Sequence, residues 1–90
     1  MFVQVTHDVL DRGAWEKVTS EWQGPPPGLK LHTSVTTQDG SKIFCLWEVE
    51  SVAALSNALD EMSTGILKNT YYPIDEKAPL TELPREAVSR

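Results

Sequence analysis

Ninety residues with a net charge of −5 make one domain with a modest core. The acidic balance, without a basic stripe, argues against nucleic acid and an anionic membrane surface as partners. A lone cysteine, Cys45, excludes an intramolecular disulfide and a cysteine-rich zinc site.

A hydrophobic fraction of 40% with three Trp calls for a packed globule rather than a disordered chain. The opening Met1-Phe2-Val3-Gln4-Val5 lacks a basic segment followed by a long apolar run. No stretch approaches the ~20 apolar residues of a spanning helix. A soluble, cytoplasmic protein is the expectation.

Phe2 to His7 alternates and is rich in Val and Thr, which predicts a strand. Val3, Val5 and His7 share one face; Phe2, Gln4 and Thr6 share the other. Asp8 and Asp11 are both candidate N-caps for the next helix. In it, Trp15, Val18 and Trp22 recur at i, i+3 and i+7, with Ala14 in the same stripe. Gly24 and Pro25-Pro26-Pro27 stop that helix.

Lys30 to Thr37 reads as a second strand, turned at Gln38-Asp39-Gly40 into a third, Ile43-Phe44-Cys45-Leu46-Trp47. A two-residue Asp39-Gly40 loop would pair Val35 with Phe44. A three-residue loop with Gly40 as a bulge would pair Val35 with Ile43. The second register is preferred, because it sets Leu31, Thr33, Val35, Ile43, Cys45 and Trp47 on one continuous apolar face. A slip of one residue reverses every side chain.

Ser51 caps a second helix with Val52, Leu55, Ala58, Leu59 and Met62 on its dry side. Gly65 ends it. Ile66 to Ile74 is a fourth strand, placed at a sheet edge by Pro73. The domain therefore spans residues 1–75, and residues 76–90 form a polar tail with Pro79, Pro84, Leu80, Leu83 and Val88.

The order is β-α-β-β-α-β. Right-handed crossovers put both helices on one face of a four-stranded antiparallel sheet, with strands one and three central. The third strand is apolar on both faces, and the chain has little left to cover Phe44 and Leu46. A second copy packed sheet to sheet is the expected solution, and both helices are expected to fill the other face without leaving a pocket.

That order, together with Gly-Pro-Pro-Pro-Gly-Leu-Lys, Asp-Gly-Ser-Lys, Phe-Cys-Leu-Trp-Glu-Val and a closing Tyr-Tyr-Pro-Ile, resembles the dimeric α/β-barrel superfamily. Within it the chain is most similar to small bacterial domains of unknown function. The resemblance covers roughly residues 1–75 and implies a ferredoxin-like fold and a homodimer. It carries over no catalytic residue, since members range from cofactor-free monooxygenases and isomerases to haem and metal proteins and non-catalytic binders.

The residues themselves offer few reactive groups. No phosphate-binding glycine loop, H-E-x-x-H or Gly-flanked serine nucleophile is present. His7 reads as a strand-end residue turned toward water. His32 reads as facing the uncovered side of the sheet with Ser34 alongside and Glu48 across the ladder. That pair is a candidate for proton transfer, and the simpler reading is a polar rim of a dimer interface.

Cys45 reads as a small buried hydrophobe. His7, His32 and Cys45 are soft ligands that do not share a face, so no metal and no cofactor are expected. One of Tyr71 and Tyr72 is expected to look into the space between sheets.

The expected function is small-molecule binding between the sheets, around Gln4, Thr6, His32 and Ser34, with Glu48 beside them. One alternative is a cofactor-independent monooxygenase or isomerase acting, through His32 and Glu48, on a small aromatic or polyketide-like substrate. The other is a structural homodimer without ligand.

Overall fold

The computed structural model describes residues 1–78 and 81–87. Pro79, Leu80 and Val88, named above in the tail, lie outside the described residues. The elements run β1 (Phe2–Val9), α1 (Arg12–Ser20), β2 (Lys30–Thr36), β3 (Lys42–Glu48), α2 (Val52–Ser63) and β4 (Leu67–Pro73). All strand pairs are antiparallel and the sheet order is β2-β3-β1-β4, a ferredoxin-like βαββαβ fold. Strands β1 and β3 are central, and β4, which holds Pro73, is an edge.

Local chemistry fixes the joints. Of the two candidate caps for α1, Asp11 serves: its carboxylate accepts from the Ala14 amide at 3.0 Å. Ser51 does the same for α2, accepting from the Ala54 amide at 3.1 Å. Gly40, with φ of 74°, makes the left-handed turn between β2 and β3. Asp39 braces that turn by accepting from the Ser41 amide, the Thr37 hydroxyl and the Ser41 hydroxyl, which together hold its carboxyl down at about 2.

The core lies on one face of the sheet. Val3, Val5, Leu31, Ile43, Cys45 and Trp47 meet Leu55 and Leu59 of α2 there. Burying each of the two leucines contributes about 1.5–3 kcal/mol. Helix α1 behaves differently. It has no buried residue, and Trp15 and Trp22 are only partly covered where they pack against the core.

The hairpin register corrects the preferred sequence reading. Val35 pairs with Phe44 and Thr36 with Ile43, the register of the shorter loop, while Leu31 still pairs with Trp47. A bulge between Leu31 and Thr33 reconciles the two, with His32 as the extra residue. Beyond the bulge every side chain of β2 changes face. Ser34 joins Cys45 on the helix side, and Thr33 and Val35 join Leu46 and Phe44 on the open side.

The open face therefore carries Phe2, Gln4, Thr6, Thr33, Val35, Phe44, Leu46, Thr70 and Tyr72 across its centre, with the charged Asp8, Lys42, Lys68 and Glu48 toward its ends. The tail returns to this side, for the Glu86 carbonyl lies 3.1 Å from His32 Nδ1.

Candidate functional site

A cavity of about 340 Å³ separates α1 from the sheet. Trp15, Val18, Thr19 and Trp22 line it from α1 and the turn after it, and Leu59, Met62 and Ser63 from α2. The floor is Leu31, Ser34, Ile43, Cys45 and Trp47, with His7 from β1. This corrects the expectation that the two helices would fill their face. The apolar stripe of α1 faces the sheet, but its tryptophans wall a cavity instead of closing one. Among the described residues no Lys, Arg, Asp or Glu lines it.

Strand β1 runs on to Val9, so His7 is not a strand end turned toward water. Alternation from Val3 and Val5 keeps it on the dry face, only 5% exposed. Across the ladder it pairs with Asn69 of β4, and Nδ1 lies 2.5 Å from the Asn69 amide oxygen.

The Asn69 amide nitrogen donates to Asp60 Oδ1 at 3.0 Å and to Ser63 Oγ at 2.9 Å. Tyr71 donates to the same Asp60 oxygen at 2.6 Å. Burial, and then the Asp60 carboxylate, push the Tyr71 hydroxyl far above its usual range. Burial pulls the His7 imidazole below its ordinary value, and the hydrogen bond it donates to Asn69 offsets part of that.

Cys45 is likewise pushed up by burial, while its hydrogen bond to Ser34, at 3.5 Å, acts in the opposite direction. Its thiol is protonated at neutral pH and is no ready nucleophile. The indole nitrogen of Trp47 is buried and has no hydrogen-bond partner among the described residues. A buried donor left unpaired costs about 1–3 kcal/mol.

The residues singled out from the sequence divide between the two faces. Gln4 and Thr6 are half-buried on the open face, opposite Leu46 and Phe44. His32 reaches Glu48 there, Nε2 to Oε1 at 3.0 Å, and its ring tilts against Phe2 with centroids 5.3 Å apart. The His32 hydrogen bond, foremost, lowers the Glu48 carboxyl.

Ser34, expected beside His32, is on the other face and lines the cavity. Tyr72 is the tyrosine that looks out from the open face. Sequence reading missed His7, Cys45 and Trp47 as neighbours around one space. The available signal was the placement of a histidine in phase with Val3 and Val5.

His7 and Cys45 face the cavity and His32 does not. Among the described residues no three of His, Cys, Asp or Glu converge to hold a metal ion. No helix among them is long and apolar enough to cross a membrane. Comparison with models of known families, with curated proteins and with solved structures finds no match for this chain.

Proposed function

We propose that this protein binds a small, mostly apolar molecule in the cavity between α1, α2 and the sheet. The observation that carries the reading is the cavity itself. Three indole rings line a space of ligand size, at the low end of the about 300–1,000 Å³ usual for such sites. A few polar side chains, those of His7, Thr19, Ser34, Cys45 and Ser63, stand in an otherwise apolar wall.

The expected site between two sheets gives way to this one as the leading reading. A cofactor-independent oxygenase or isomerase would use the same cavity, with His7 as its base. Amide NMR during a screen of small aromatic compounds tests the placement. Shifts centred on His7, Ile43 and Trp47 support it. Shifts centred on Gln4, Thr6, Leu46 and Glu48 would move the site to the open face.

The open face favours a second reading, that the chain is a homodimer of the dimeric α/β-barrel type. Val35 and Tyr72 are 60% and 53% exposed there, beside half-buried Phe44 and Leu46. Such a neutral patch is the kind of surface that a second sheet covers. Contacts of a ligand with Gln4 and Thr6, and proton transfer by His32 and Glu48, would belong to a cleft closed in that way. Sedimentation is the test: a dimer at micromolar concentration that Leu46→Lys converts to monomer supports it, and a wild-type monomer refutes it.

A further inference from the structure

Two polar atoms of cavity-lining residues have no partner among the described residues, and the hydrogen-bonding role of one is fixed by the groups behind it. Trp47 Nε1 is one, an indole donor closed off from the cavity by its neighbours, so no ligand atom reaches it. His7 Nε2 is the other, and its role follows from a relay of acceptors. The Asp60 carboxylate only accepts, so the nitrogen of the Asn69 amide must face it. The amide oxygen then faces His7 Nδ1 and also only accepts. The ring hydrogen of neutral His7 therefore sits on Nδ1, which leaves a lone pair on Nε2. Burial keeps the ring neutral, so that lone pair persists at neutral pH.

The wall thus offers the His7 acceptor and the hydroxyls of Thr19, Ser34 and Ser63 within an otherwise apolar, aromatic lining. Among the described residues no basic residue lines it to hold an anion, and no carboxylate lines it to hold a cation.

We infer that the cavity selects a small, uncharged aromatic compound bearing a hydroxyl group, of the phenol or naphthol class. Its O–H donates to His7 Nε2, and its ring packs among the indoles of Trp15, Trp22 and Trp47. The inference rests on the reading of the cavity as a ligand site. A ligand without a hydroxyl hydrogen leaves His7 Nε2 buried and unpaired, and a site so built rejects the analogue that lacks the group.

The experiment compares naphthol, methoxynaphthalene and naphthalene on the full chain, followed by tryptophan fluorescence and the indole N–H resonances. Naphthol should bind about tenfold or more tightly than methoxynaphthalene and should shift the Trp47 indole resonance. His7→Phe should shrink that preference while naphthalene still binds, which also reports that the variant folds.

Equal binding of naphthol and methoxynaphthalene to the unmodified protein would overturn the inference and leave the cavity as a ligand site. Failure of all three to bind, or shifts confined to the open face, would overturn the ligand-site reading and this inference with it.

Discussion

His32 Nε2 stands 3.0 Å from Glu48 Oε1 across β2 and β3, on the sheet face turned away from both helices. The contact exists because His32 is the extra residue of a bulge, which brings its ring over Phe2. The imidazole side chain is 1% exposed and the Glu48 side chain 41%. Packing of the ring therefore outweighs the ion pair, since an exposed carboxylate solvates itself. His32→Ala should lower stability by about 1–3 kcal/mol. Glu48→Gln should cost visibly less. Urea denaturation of both variants checks this, and equal losses would mean that the pair, not the ring, holds the bulge.

The buried His7 predicts a pH dependence. Its folded value lies below the 6.5 of an unfolded chain, because burial opposes the charged ring. The unfolded state therefore binds the extra proton first as pH falls. The stability contributed by neutral His7 is complete above pH 6.5 and is lost progressively below it, down through the folded value. Urea midpoints across about pH 5 to 8, the interval in which histidine changes charge, should fall on the acid side. His7→Phe should flatten that slope. A slope unchanged by His7→Phe would assign it to other groups.

Cys45 should react slowly with a thiol reagent at neutral pH. Its thiol is buried, and burial raises its value above the usual 9.0, so little thiolate is present. Because Cys45 lines the cavity, a bound ligand should slow the reaction further. Reaction of the native protein at the rate of the urea-unfolded chain would contradict both the burial and the protonation state.

Two glycines should respond oppositely to alanine. Gly40 has φ of 74°, and a Cβ there would also meet the Arg12 guanidinium at 2.9 Å. Gly40→Ala should cost about 1–2 kcal/mol. Gly13 is helical, and its Cβ would meet only Asp11 Oδ1, at an ordinary 3.8 Å. Gly13→Ala should raise stability by up to about 1 kcal/mol. Thermal melts decide both signs, and a stabilised Gly40→Ala would show that the turn is not left-handed.

Element order was written in the sequence because its signals are local. Asp11 and Ser51 cap, Gly40 and Gly65 turn, and Pro73 keeps β4 at an edge, each within a few residues of its effect. Sheet order followed from the handedness of crossovers, which any right-twisted sheet obeys.

The bulge at His32 could not be read locally, because it settles a conflict between distant demands. The turn over residues 38–41 pairs Val35 with Phe44, while the core pairs Leu31 with Trp47, and one surplus residue satisfies both. The same step carried Ser34 to the helix side.

The cavity was equally hidden. The spacing of Trp15, Val18 and Trp22 tells which face of α1 is apolar, but not how far that face stands from the sheet. That distance is set by tertiary packing, in which α2 buries Leu55 and Leu59 while α1 buries no residue. Likewise His7 meets Asn69 only through the register of β1 on β4, residues 62 positions apart in sequence, and the chemistry of the site depends on that meeting.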